Sequence, residues 1–345
     1  MPRAAALAAA LLVAAPVGAM LLEAHYAAMS PPVERMDWHL HDPSRIVQVH
    51  GGGQRVAVTG KAQEDGYACG LETWVRSDPT AAWLPETCLF IEKPAWIADE
   101  LPDNGGAFWA PDLLDAETMV YSVSAGFEAP GSCVGLARLQ DGVWRDAGAP
   151  LTCLPPDFQS DAEISAIDPS VFRDDDGRVY LVTGGGLIHA TELDPDTLAP
   201  LTGDWFTPDH PGWSSLARGP MPDGDDHEWV EAAMLHRHGD AYYLFVNWGG
   251  CCAGVASTYS VHVGRSDSPL GPFLDKSGRD LLAGGGTLLL DSDGAQIGPG
   301  HAAIWSDASG KDWLSFHYYD AHRDGLPWIG EHAIDWSSGW PEVME

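Results

Sequence analysis

The feature that most constrains this chain is a recurrence. Five times, a short segment sets an acidic residue or a histidine against an apolar run, and each time a turn and a second β-rich run follow. The anchoring segments are His41-Asp42-Pro43-Ser44-Arg45-Ile46-Val47, Ala110-Pro111-Asp112-Leu113-Leu114, Ile167-Asp168-Pro169-Ser170-Val171-Phe172, Val230-Glu231-Ala232-Ala233-Met234-Leu235 and Gly298-Pro299-Gly300-His301-Ala302-Ala303-Ile304. Turns rich in Gly, Asp or Ser come next, such as Gly51-Gly52-Gly53 and Asp174-Asp175-Asp176-Gly177. The runs that follow begin at Val56, Met119, Val179, Tyr242 and Leu314. The pattern predicts five hairpins of one design.

Asp42, Asp112, Asp168, Glu231 and His301 are separated by roughly 56 to 70 residues, about what four short antiparallel strands and their turns occupy. That is the blade spacing of a β-propeller. In such a fold the innermost strand of each blade lines a central channel, so residues at matching positions converge on one axis. A carboxylate set in apolar sequence is costly to bury without a partner or a task. Read singly, each anchor is a turn cap or a satisfied polar group; read together in register, they predict one acidic site. Two carboxylates facing one cavity equip a chain for glycoside hydrolysis, one holding a proton for the departing oxygen and the other ionised to activate water or attack the sugar. A third carboxylate nearby raises the acid's pKa by like-charge repulsion.

The first thirty residues differ from the rest. Arg3 precedes an apolar run over residues 4–15, and Val17-Gly18-Ala19 supplies small residues where cleavage would fall. This predicts a secretory signal peptide over residues 1–30, with an uncleaved N-terminal anchor as the alternative, and a secreted or periplasmic location. Residues 31–345 read as one repeat-built domain, with no Ser/Gly- or Pro-rich linker and little helical periodicity. The 50 Asp and Glu against 18 Lys and Arg give a formal net charge of −32, a surface that repels nucleic acid and anionic lipid. A monomer acting on a neutral glycan is expected.

The six cysteines agree with export. Spacing favours Cys69 with Cys88 and Cys133 with Cys153, leaving Cys251-Cys252 as either a vicinal disulfide or two thiols on opposite sides of a strand. Dinucleotide, Walker, zinc-protease and nucleophile-elbow motifs are missing. Gly184-Gly185-Gly186 opens no amphipathic helix and reads as a turn or bulge. Aromatic residues beside the anchors, Trp38, Phe108, Trp109, Trp229 and Trp248, are candidate walls for sugar rings, Trp109 foremost, although most of the 15 Trp should fill blade cores.

These segments resemble glycoside hydrolase family 43, and within it the arabinanases that cut α-1,5-linked L-arabinan. The resemblance runs from His41-Asp42-Pro43-Ser44 through Phe108-Trp109-Ala110-Pro111-Asp112 and Ala166-Ile167-Asp168-Pro169-Ser170 to Val230-Glu231-Ala232. It is most specific in Asn247-Trp248-Gly249-Gly250-Cys251-Cys252, Ser257-Thr258-Tyr259, Val263-Gly264-Arg265-Ser266 and Gly298-Pro299-Gly300-His301. The resemblance implies an all-β, five-bladed propeller with a central active-site channel and an inverting hydrolase of plant-type arabinan or its oligosaccharides. By motif, Asp42 resembles the general base, Glu231 the general acid and Asp168 the carboxylate that tunes the acid. His41, Trp109, Asp112, Ala166, Ile167, Asn247 and Trp248 fall at substrate-binding positions, and His301 at the ligand of a calcium ion otherwise held by water. Two departures bear on the glycan: Gly184-Gly185-Gly186 stands where an aromatic loop is usual, and Ala233 where a proline is usual. The same catalytic set acting on another furanosidic or xylosidic glycan, and a non-catalytic glycan-binding propeller, are the competing readings.

Overall fold

A computed structural model describes residues 40–344 except 61–69, 91–92, 103–106, 125–130, 155–163, 204–210 and 222–227. The proposed leader, Trp38 and Cys69 lie outside the described residues. Those described belong to the compact unit His39–Glu345.

Each repeat becomes a separate antiparallel sheet. Blade one is β1 (Val47–Gln48), β2 (Gln54–Thr59), β3 (Leu71–Arg76) and β4 (Leu84–Cys88); blade two is β5 (Ala107–Asp115), β6 (Thr118–Ser124), β7 (Ser132–Gln140) and β8 (Val143–Asp146), with β9 (Thr152–Leu154) beside β7. Blade three is β10 (Ser170–Arg173), β11 (Val179–Thr183), β12 (Leu187–Leu193) and β13 (Ser214–Arg218). Blade four is β14 (Val230–His238), β15 (Ala241–Trp248), β16 (Ser260–Ser266) and β17 (Thr287–Leu290), and blade five is β18 (Gln296–Ser306), β19 (Asp312–Asp320), β20 (Leu326–Asp335) and β21 (Glu342–Met344). The chain is a five-bladed β-propeller. The expected second runs are β2, β6, β11, β15 and β19, fully buried along most of their length because Val, Leu, Tyr and Phe pack on both faces.

Apolar clusters fill the joints between successive blades. Phe108 and Tyr121 pack with Leu71 and Phe90, Val120 and Leu136 with Leu181 and Leu193, Val182 and Ile188 with Leu235 and Leu244, and Phe245 and Val263 with Ile304 and Phe316. Where the described residues of blades five and one meet, polar contacts join an apolar face, since Val56, Val58 and Trp74 are buried on the side of blade one opposite Ala57 and Leu71. Arg76 donates from both terminal nitrogens to Glu331 at 2.6 and 2.7 Å, and His41 stacks on His317 with ring centroids 4.0 Å apart. Among the described residues every blade is one contiguous stretch of chain, and no strand is shared between blades five and one.

The register of the repeat is set by backbone conformation. Asp42, Ala110, Asp168, Ala232 and His301 all have left-handed φ, between 45° and 52°. Such a residue costs of order 1–3 kcal/mol unless its surroundings fix it. Here each fixes its N–H on a side chain of the preceding blade: His317 Nδ1 accepts from Asp42, Thr59 Oγ1 from Ala110, Ser122 Oγ from Asp168, Asp168 Oδ2 from Ala232 and Asn247 Oδ1 from His301, at 2.8 to 3.2 Å. The expected anchor register is therefore refined: Asp112 lies two residues beyond the repeated position in blade two, and Glu231 one residue before it in blade four. Cys133 and Cys153 form the expected disulfide across β7 and β9, and Cys251 and Cys252 pair with each other. Cys88 is disulfide-bonded.

Candidate active site

The left-handed residue precedes the innermost strand or falls at an irregularity within it, and three of the anchored carboxylates, Asp42, Asp168 and Glu231, lie close enough to act on one another's ionisation. Asp42 and Asp168 retain 9% and 8% exposure, whereas Glu231 is half-buried and so the most accessible of the three.

Asp42 is surrounded by donors. Thr59 Oγ1 donates to Oδ2 at 2.7 Å, and because that hydroxyl already accepts from Ala110 N–H, its proton is directed at the carboxylate. His41 Nδ1 lies 2.8 Å from Oδ1, and its Nε2 is 2.8 Å from Tyr319 Oη. Tyr319 accepts from Cys252 N–H, which leaves its own proton for His41 Nε2. His41 thereby presents an Nδ1–H donor to Asp42. Burial opposes ionisation of Asp42, but His41, His301 and His317 outweigh it and hold the carboxyl far below its ordinary range.

Glu231 is held by an aromatic pair. Trp229 Nε1 donates to Oε2 at 2.6 Å and Tyr259 Oη to Oε1 at 2.7 Å. The backbone makes room for both rings. A Cβ on Gly185 would fall 2.5 Å from the Trp229 indole, and a Cβ on Gly300 would collide with the Tyr259 ring. The Gly184-Gly185-Gly186 stretch is thus the β11–β12 turn, as expected, and its middle residue seats an acid-holding tryptophan. Burial raises the Glu231 pKa, the Trp229 and Tyr259 donors pull it back, and Asp42 pushes it up again. Asp168 rises further, through burial and then the charges of Glu231 and Asp42, against one hydrogen bond from Ala232 N–H. The Asp168–Glu231 pair therefore keeps a proton where an ordinary carboxyl would have lost it, while Asp42 stays ionised.

Of the remaining anchors, Asp112 is engaged elsewhere and His301 stays beside Asp42. Asp112 is bound by Arg45, with Nε at 3.0 Å from Oδ1 and Nη2 at 2.7 Å from Oδ2, and it also accepts from Val171 N–H. Asn247 is fully buried, its amide spanning His301 N–H and the Ser260 carbonyl. Ala166 is fully buried and donates to Ser132, while Ile167 is half-buried beside Asp168. Trp109 is half-buried with its Nε1 on Ser124 Oγ, and Trp248 stacks on His262 at 3.6 Å. His301 is kept neutral, since burial outweighs the attraction of Asp42, and its Nδ1 stands 3.5 Å from Asp42 Oδ1. Acidic and histidine groups here could hold a metal: ligand atoms of His41, Asp42 and His317 lie within 4.8 Å of one another. Sequence reasoning did not single out Thr59, His317 or Tyr319, or give Tyr259 and Trp229 their part in holding the acid. Thr59 and His317 sit at matching places on second strands, which is the signal that would have found them.

The model of the glycosyl hydrolases family 43 matches residues 55–341. The chain belongs to that family. It is a glycoside hydrolase. This family 43 chain is 32% identical over 309 residues to the extracellular endo-α-(1→5)-L-arabinanase 1 of Bacillus subtilis, covering 88% of this chain and 87% of the relative. The crystal structure of an exo-1,5-α-L-arabinanase from a bovine ruminal metagenomic library superposes with a TM-score of 0.75 at 26% identity, covering 91% of this chain and 99% of that one. A Cellvibrio cellulosa α-L-arabinanase complexed with arabinohexaose gives a TM-score of 0.73 at 28% identity, covering 89% and 96%.

Proposed function

We propose that this hydrolase cleaves α-1,5-L-arabinofuranosidic bonds in arabinan or arabino-oligosaccharides, after export from the cell and with inversion at the anomeric carbon. The observation that carries this reading is the electrical contrast between Asp42, held ionised, and the Asp168–Glu231 pair, which holds a proton. Glu231 gives its proton to the glycosidic oxygen as the bond to the anomeric carbon breaks. Asp42 takes a proton from the water that attacks the opposite face. Asp168 is coupled to Glu231 as the second carboxyl of that pair and anchors Ala232, the next residue along, by its backbone N–H. The relatives' names support arabinan as substrate and an extracellular site of action.

Trp109 is the indole we assign to a sugar face, with Trp248, His41 and Ile167 forming the surrounding wall and the buried Ala166 supporting Ile167 from behind. Asp112 and Asn247 act indirectly, through Arg45 and through His301 N–H. His301 can offer a neutral imidazole to a calcium ion, and the nearby carboxylate oxygens are engaged by His41, Thr59 and Arg45, so water would complete its shell. When bound, such an ion supplies positive charge near the axis.

The test is product analysis on linear arabinan against aryl arabinofuranoside and aryl xyloside, with proton NMR to identify the anomer first formed. Release of arabino-oligosaccharides as the inverted anomer is expected. Turnover of the xyloside alone would reject the substrate, and retention would reject the mechanism. Glu231→Gln and Asp42→Asn should each abolish turnover with unfolding little changed; full activity in either would reject its role.

A further inference from the structure

Strand β14 carries Glu231 at one end and, at the other, a second cluster that the reaction does not use. His236 and His238, two residues apart on a strand, present the same face. Both aim at one atom of blade five. His236 Nε2 lies 3.2 Å from Asp312 Oδ2, and His238 Nδ1 lies 3.1 Å from it. We propose that His236, His238 and Asp312 form a binding site for a borderline divalent cation of the zinc class, which joins blades four and five at the end of β14 remote from Glu231.

The geometry accommodates an ion as well as a hydrogen-bonded triad, and the donor set says which ion. Ligands about 2.0–2.2 Å from tetrahedral zinc stand roughly 3.3–3.5 Å from one another, close to the two observed nitrogen–oxygen separations. Two imidazoles and a carboxylate suit zinc better than calcium or magnesium, which select oxygen. The donors are also held in place, as metal ligands generally are. Asp312 Oδ1 accepts from Ser306 Oγ at 2.6 Å, which leaves Oδ2 for the histidines. The Trp336 indole stacks on His238 at 4.4 Å and lies nearly parallel to His236 at 5.8 Å. With side-chain exposures of 15% for His236, 44% for His238 and 8% for Asp312, an ion could enter past His238 and keep a water as fourth ligand.

The experiment is titration of the full chain with Co2+ as a spectroscopic stand-in, in excess Ca2+ so that any site at His301 is already filled. One equivalent of Co2+ with the visible absorption of tetrahedral N/O ligation is expected, displaced by Zn2+. His238→Gln, at the half-exposed position, should weaken binding by more than the roughly ten- to hundredfold that loss of an outer partner costs, and Ser306→Ala by about that amount. Neither change should alter hydrolysis of arabinan measured without Zn2+, whereas His301→Gln should leave the Co2+ spectrum intact. Zn2+ should raise the Tm of the parent chain but not of His238→Gln. Absence of the tetrahedral spectrum, or its survival in His238→Gln, would show that the triad is a hydrogen-bonded clamp only and overturn the proposal.

Discussion

Replacing Tyr259 with Phe isolates one contact on the proposed acid. The side chain is 2% exposed, and Phe keeps its ring in the space that Gly300 leaves free, so the variant loses only the hydroxyl that donates to Glu231 Oε1 at 2.7 Å. A hydrogen bond to a charged group contributes about 1.5–3 kcal/mol, and it favours the carboxylate over the carboxyl. Since about 1.4 kcal/mol is a tenfold change in proton affinity, Glu231 in Tyr259→Phe should hold its proton roughly ten- to a hundredfold more tightly. The alkaline limb of kcat/KM reports the acid in the free enzyme and should move up by about one pH unit or more. Trp229→Phe removes the donor to Oε2 and should move the limb the same way. The assay is kcat/KM for arabino-oligosaccharide from acid to alkaline pH, with urea unfolding to confirm that the fold holds. An alkaline limb that stays in place or moves down would refute the account of how Glu231 is held.

Two further outcomes follow from contacts at the axis. Thr59→Val removes the donor to Asp42 and strands the Ala110 N–H, so kcat should fall and urea unfolding should show a loss of about 1–3 kcal/mol. Arg45→Met leaves the buried Asp112 carboxylate without its cation and should cost about 3–5 kcal/mol by the same measurement, whereas Arg45→Met with Asp112→Leu should recover most of it.

The hairpins were legible because their second strands are short apolar runs bounded by turn residues, a signal carried by neighbours in sequence. Asp42, Asp168 and Glu231 were legible as carboxylates set in such runs. The repeated left-handed residue was not, since Ala110 and Ala232 carry no mark of a conformation that only their partners across the blade joint stabilise. Asp112 looked like a fourth member of the acidic set because its partner, Arg45, lies a full repeat away. Trp229 looked like a sugar platform, and Tyr259 was only part of a motif. Whether an aromatic residue meets a ligand or a neighbouring carboxylate depends on where a glycine leaves room for it, as Gly185 and Gly300 do here.

The joint between blades five and one carries the Arg76–Glu331 ion pair, stacked histidines and the Leu40 N–H on the Pro327 carbonyl at 3.4 Å. Asp42 belongs to blade one, yet His317, His301 and, through His41, Tyr319 reach it from blade five. Parting of the ring at this joint would carry away the groups that hold the proposed base. Catalysis would then fade before the blades lose their strands, so that turnover senses the closure of the ring while circular dichroism still sees every sheet intact.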